Sequence, residues 1–268
     1  MTAEGHILKM RAAFATPVEY YLPFNDTEVS MNRLIGHEIA LEFTGIIRCI
    51  SCGKITKTSF AQGFCYNCLQ TAPEAGESVL QPELSKAHLG IARDLEYAEK
   101  YDLIDHVVYL ALSPGLKVGV TRHHQVPTRW IDQGATEAVA VARTPNRHIA
   151  GIMEVWLKQY FSDKTNWRDM LQNKKPEVGS LAIEKRGVYK LLTPELKKYW
   201  LHGEETTRIE YPVLCYPEKI VTVTFDKTPR ITGVLQGIKG QYLLLGDETA
   251  LNIRKHNGYQ VRMVWESE

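Results

Sequence analysis

No apolar run in the 268 residues approaches the ~18 needed to cross a bilayer, and the opening MTAEGHILKMRAAFATPVEY lacks the basic segment, apolar stretch and cleavage site of an export signal. The chain is therefore expected in the cytoplasm, with no membrane partner. Tandem repeats and low-complexity tracts are missing too, which excludes solenoids and disordered arrays. An excess of one charge is also missing: 32 Lys and Arg face 31 Asp and Glu, a net of +1 that by itself says nothing about an anionic partner. Cysteine is scarce, with five in all, and four of them fall in two Cys-x-x-Cys pairs. In a chain without an export signal such pairs point to metal binding before disulfides.

What is present is an ordinary globular composition, 44% hydrophobic and 24% charged, in a chain long enough for more than one domain. Charge is uneven along it: −5 over residues 1–105, +5 over 106–175 and +1 over 176–268. The middle segment also carries His106, His123, His124 and His148. A local basic field of this kind can hold a polyanion, and a solvated basic face is the alternative.

Four regions are predicted. Residues 1–78 hold the strand-like YYLPF and EIALEFTGIIRC, a turn at FNDTE, and a zinc-ribbon segment at 49–68. Residues 79–105 form a helical connector, with PELSKAHLGIARDLEYAEKYDL read as one helix whose Leu84, Ile91, Leu95 and Ala98 share a face. Residues 106–205 read β-β-α-β-α: HVVYLALS, the turn SPG, LKVGVTR, a short helix PTRWIDQ begun by Pro127 and ended by Gly134, TEAVAVAR, and a helix through NRHIAGIMEVWLKQYF capped by Thr144. On that helix Ile149, Met153, Trp156 and Tyr160 form the apolar stripe, with Glu154 on its flank. Residues 206–268 hold five short strands, with an Asn-Gly hairpin signal in HNG, and predict a small closed β-barrel. The fold class is α+β.

Cys49, Cys52, Cys65 and Cys68 give Cys-x2-Cys-x12-Cys-x2-Cys, with Gly53 supplying a permissive backbone after the first pair. Four thiolates satisfy tetrahedral zinc and leave no open coordination position, so this zinc is expected to be structural. Cys215, in a predicted strand, is expected to be a buried small hydrophobe.

The order VVY, KVGVT, Arg129, Glu154 and Asn166 resembles a divergent branch of the GIY-YIG nuclease superfamily over about residues 106–170. The whole chain, through RWIDQGA, SDKTNWRDML and the zinc knuckle, also looks like an uncharacterised bacterial family of unknown function. The nuclease resemblance implies that Tyr109 lies near the attacking water and that Lys117, Val118 and Gly119 form the second tripeptide. It further implies that Arg129 steadies the phosphate, Glu154 holds a catalytic Mg²⁺ or Mn²⁺, and Asn166 closes the core. Val107 stands where that superfamily has its first glycine and Lys117 where it has its second tyrosine.

The chemistry that follows is hydrolysis of a nucleic-acid phosphodiester, DNA before RNA. Arg129 offers a planar fork to a non-bridging oxygen. Lys117 can act as a base only if its surroundings lower its pKa toward neutrality, with His123 and His124 in reserve. Arg122, His123, His124 and Trp130 are candidate substrate contacts. Ordinary packing accounts for the same residues in other ways: Tyr109 as a core strand residue, Arg129 paired with Asp132, Glu154 paired with Lys158. A non-catalytic nucleic-acid binder and a zinc-braced scaffold for a protein partner are the rival functions.

Overall fold

The computed structural model describes residues 1–25, 27–174, 179–203 and 205–266. The chain divides into two compact units, Met1–Gln70 with Leu171–Asn173 and Glu210–Glu268, and Thr71–Met170 with Lys174–Ile209.

The first unit opens with β1 (Thr2–His6), β2 (Arg11–Ala13), β3 (Glu19–Phe24) and β4 (Thr27–Ser30). Strands β2, β3 and β4 form a three-stranded antiparallel sheet, because YYLPF alternates cleanly: Tyr20, Leu22 and Phe24 point into the core and their neighbours do not. Asn25, at φ 47°, makes the expected turn into β4, while Asp26 of that turn lies outside the described residues. The predicted long strand is β5 (Glu38–Arg48), followed by the two-residue β6 (Ile55–Thr56) and the helix α1 (Tyr66–Thr71).

The second unit contains α2 (Leu95–Tyr101), β7 (His106–Leu112), β8 (Leu116–Arg122), α3 (Thr128–Asp132), β9 (Glu137–Thr144), α4 (Arg147–Leu157), α5 (Trp167–Leu171), α6 (Leu181–Leu191), α7 (Pro194–Lys197) and β10 (Thr207–Arg208). Its sheet runs β10-β9-β7-β8, antiparallel throughout, with β7 buried along its whole length. Tyr109 is opposite Gly119 and Ala111 opposite Lys117. Val108, Leu110, Leu112 and Val118 form a core with Ala150, Met153 and Leu157 of α4 and with Leu181 and Val188 of α6. Since strand side chains alternate, Tyr109, Lys117 and Gly119 occupy the opposite face. Gly151 lets α4 lie against the chain at 82–83: a Cβ there would stand 2.1 Å from the Glu83 amide nitrogen. A buried ion pair, Arg147 Nε to Asp102 Oδ1 at 2.6 Å, ties the start of α4 to the end of α2, and Ser85 donates to the second carboxylate oxygen.

Three local expectations are corrected in this unit. The helix predicted through 82–103 is two short 3-10 turns, Pro82–Leu84 and Ala87–Leu89, then a break at Gly90 (φ 74°) before α2, which Asp94 caps by accepting from the Tyr97 amide. Leu84, Ile91 and Leu95 are exposed, so only Ala98 of the expected face is buried. The cap of α4 is Asn146, which accepts from the Ile149 amide, because Thr144 is held as the last residue of β9, paired with His106. The buried face of α4 is Ala150, Met153, Glu154 and Leu157, and Tyr160 is exposed.

The chain then returns to the first unit with β11 (Val221–Val223), β12 (Arg230–Lys239), β13 (Tyr242–Leu245), β14 (Thr249–Asn252) and β15 (Tyr259–Trp265). These strands do not close a barrel of their own. They join an eight-stranded sheet in the order β1-β15-β5-β12-β13-β14-β11, with β6 on β5, and no closed barrel occurs among the described residues. The physical reason is β5: its inward residues Ile39 and Leu41 are fully buried and both its edges are satisfied, by β12 on one side and β15 on the other. The HNG signal is not a hairpin between neighbouring strands either. Gly258, at φ 82°, sits so close to β5 that a Cβ would lie 2.0 Å from the Arg48 carbonyl, with which no side chain is compatible. The mixed α+β class holds. No helix of the described residues is long and apolar enough to cross a membrane.

Candidate functional site

The first unit brings the four predicted cysteines together. Arg48 ends β5, Cys49 and Cys52 follow in the turn to β6, and Gly53 (φ 71°) donates to the Cys49 carbonyl at 2.9 Å. Cys65 and Cys68 come from the start of α1, where the Leu69 amide donates to the Cys65 carbonyl. One pair is thus carried by a hairpin and the other by a helix. All four Sγ atoms lie within 4.8 Å of one another, Cys52 and Cys65 at 3.9 Å. Tetrahedral zinc, with Zn–S of roughly 2.3 Å, needs sulfurs roughly 3.8 Å apart, so the donor set fits. Burial raises the Cys49 thiol pKa, yet the backbone amides of Cys52, Cys65 and Ser51 bring it down to about 6, whereas burial and the neighbouring thiols push Cys68 up, so the four sulfurs share their protons as one cluster. Among the described residues this is the only cluster of three or more potential metal ligands. Cys215 is exposed, contrary to expectation.

The second unit gathers part of the other predicted set. Tyr109 is fully buried; its hydroxyl donates to Gln133 Oε1 at 3.0 Å and its ring packs 5.9 Å from that of Trp130. Gly119 faces it so closely that a Cβ would lie 2.6 Å from the phenol oxygen. Burial raises the Tyr109 pKa, and the half-buried Arg129 on α3 works against that shift from beside the phenol. Lys117, two residues along the same face of β8, is 4% exposed and donates to Thr165 Oγ1 at 2.7 Å. Burial, reinforced by Arg129, lowers its pKa to about 7, while Asp163 and Glu154 oppose the shift. The segment holding Thr165 runs beside the β8 edge, where Ser162 bridges Lys117.

Glu154 belongs to the helix that covers the other face of the sheet. Burial raises its pKa, and Lys158, 3.5 Å away and also bound to Asp163 at 3.3 Å, offsets the rise. The i,i+4 pairing that was the plain alternative for Glu154 is therefore present, although its charge is still felt by Lys117 and Tyr109. Asn166 bonds the Asp169 carboxylate at 2.5 Å and heads α5. His123 and His124 are exposed in a 3-10 turn. Arg122 lies over the Tyr101 ring at 4.7 Å, on the strand face away from Lys117. Trp130 is 3% exposed, its ring packs against that of Tyr109, and its Nε1 has no hydrogen-bond partner among the described residues. Gln133, Asp163 and Thr165 went unnoticed in the sequence: each acts through a side chain brought close by the fold, and no spacing marks them.

No curated protein and no solved structure matches the chain. The family model described as "Protein of unknown function (DUF2797)" matches residues 36–261, which span parts of both units and include all four cysteines and every residue of the Tyr109 face. The chain belongs to that DUF2797 family.

Proposed function

We propose that the second unit is a GIY-YIG-like core that hydrolyses phosphodiesters of nucleic acid, DNA in preference to RNA, while the zinc-bound knuckle of the first unit is structural. The observation that carries this reading is the meeting of Tyr109, Gly119, Lys117 and Arg129 on one sheet face, with a phenol, a guanidinium and an amine in mutual electrostatic reach. Arg129 would bind a non-bridging phosphoryl oxygen through its planar fork. With a pKa of about 7, Lys117 is partly uncharged near neutrality and can take a proton from the attacking water. The water oxygen bonds to phosphorus, the ester P–O bond breaks, and the departing oxygen takes its proton from solvent. Tyr109, held by Gln133, orients the neighbouring groups. Substrate reaches the amine by displacing Thr165.

Glu154 is the residue the resemblance offers to a Mg²⁺ or Mn²⁺, but it stands on the helix behind the sheet and is already paired with Lys158, so it does not fit an ion shared with a phosphate on the Tyr109 face, and no step is assigned to the ion. That same ion pair favours a second reading, in which the core binds nucleic acid without cutting it.

The test is incubation of the purified protein with single-stranded, duplex and branched DNA and with RNA, in Mg²⁺, Mn²⁺ or EDTA. Lys117→Gln, Arg129→Ala and Glu154→Ala accompany it. Cutting that rises with pH through about 7 and is lost in the Lys117 and Arg129 variants supports hydrolysis. Salt-sensitive binding with no cutting by the parent protein supports the second reading and removes the first.

A further inference from the structure

Lys117 can do more than take a proton from water. Its side chain is 4% exposed, and among the described residues its amine makes one hydrogen bond, to the Thr165 hydroxyl at 2.7 Å, and no ion pair. The two carboxylates whose charge reaches it, Asp163 and Glu154, are both engaged by Lys158, at 3.3 and 3.5 Å. Arg129 adds a second positive charge beside it. A buried amine that meets a neutral acceptor and a guanidinium sheds its proton readily. At a pKa of about 7, half of the chains hold the free base at neutral pH, about a thousandfold more than for a lysine in water.

A free amine is a nucleophile for an aldehyde carbon, with which it forms an imine. Intact DNA offers no aldehyde. A nucleotide that has lost its base does, because its deoxyribose opens to an aldehyde at C1′, flanked by phosphates of which Arg129 can hold one through its planar fork. We propose that Lys117 attacks abasic sites in DNA, forming an imine with the C1′ aldehyde and cutting the strand by elimination. The Nζ lone pair bonds to C1′, and the aldehyde oxygen leaves as water. The protonated imine gives up a C2′ proton to solvent and becomes an enamine. The enamine electrons then form the C2′–C3′ double bond, while the C3′–O bond breaks and the phosphate departs with its electron pair. Water hydrolyses the imine and returns the amine. The inference rests on the nucleic-acid reading above for the class of ligand and, like it, on displacement of Thr165. It is independent of hydrolysis, since no bond to phosphorus changes.

Cyanoborohydride reduces such an imine to a stable amine, so covalent capture reads the step directly. The intact protein is incubated with a fluorescein-labelled duplex holding a single abasic deoxyribose, beside the unmodified duplex and free deoxyribose 5-phosphate. The abasic duplex should be captured and the unmodified duplex should not. Digestion and mass spectrometry should place the added mass on Lys117. Lys117→Gln should lower capture by roughly 100-fold or more, and Arg129→Ala by roughly 10-fold. Mapping the adduct on the parent protein keeps the test decisive even if Lys117→Gln fails to fold. An adduct on another lysine or on the amino terminus, capture unchanged in Lys117→Gln, or capture of the free sugar phosphate alone overturns the inference. If abasic DNA is not captured while unmodified DNA is cut, the imine falls and the hydrolase stands. If abasic DNA is captured on Lys117 while unmodified DNA stays whole, the imine stands and the hydrolase falls.

Discussion

Gly119→Ala is expected to destabilise the second unit by about 2–4 kcal/mol. The new methyl carbon would lie 2.6 Å from the Tyr109 oxygen and 2.7 Å from Cζ, well inside contact distance. Tyr109 cannot step aside cheaply, because it is fully buried, bonded to Gln133 and packed on Trp130. Overpacking of a filled core costs ~1–3 kcal/mol, and breaking the buried hydroxyl bond adds ~1 kcal/mol. A chain of two units need not unfold in one step, so the readout must belong to the second unit. Trp130, Trp156, Trp167 and Trp200 all lie there, and in a Trp265→Phe background their fluorescence during urea titration reports that unit alone. Tyr109→Phe removes the nearer of the two clashing atoms, so the double variant should recover part of the loss, with a coupling on the order of 1 kcal/mol. A Gly119→Ala protein within about 0.5 kcal/mol of its parent would refute the close-contact reasoning.

Purified protein should carry one zinc per chain, and Cys49→Ser should lose it, as measured by metal content and by faster proteolysis between residues 49 and 70. Arg147→Met should cost about 3–5 kcal/mol by leaving the Asp102 charge buried without its counter-charge, and Arg147→Met with Asp102→Leu should regain most of it in the same fluorescence assay. His106, 1% exposed with Nδ1 against the Ile104 carbonyl, has its pKa lowered by burial to about 4. The unfolded chain therefore binds the extra proton first, and stability should fall between about pH 6.5 and 4, by on the order of 3 kcal/mol in all. His106→Phe should flatten that part of the pH profile; an unchanged profile would sink the assignment.

What could be read in advance was local. The β7–β8 hairpin follows from the two strand-like runs on either side of Ser-Pro-Gly, one apolar throughout and one alternating, and its register puts Tyr109 opposite Gly119. The cysteine spacing was equally direct, since a metal fixes four thiols whatever surrounds them. Pairings distant in sequence were hidden: nothing in Glu38–Arg48 announces that its partners are Arg230–Val234 and Tyr259–Trp265, so the C-terminal strands read as a closed set of their own. The connector misled because Leu84, Ile91 and Leu95 have helical spacing, whereas Pro82 and Gly90 punctuate the backbone and leave those side chains in solvent. Of the candidate site, the residues on β7, β8 and α3 come together. Glu154 rises from the layer behind the sheet, a placement that motif order cannot reveal because it depends on which face α4 covers.

The division of the first unit between the two ends of the chain has a consequence for biosynthesis. Roughly 180 residues separate the end of β5 from the start of β12, so at ~5–20 residues per second a nascent chain holds a long apolar strand with bare edges for roughly ten to forty seconds. The inserted unit is completed within that interval and can fold as it emerges, shortening the distance over which β5 must find its late partners. A ribosome stalled before codon 230 would therefore expose an adhesive strand, and full-length release is the event that silences it.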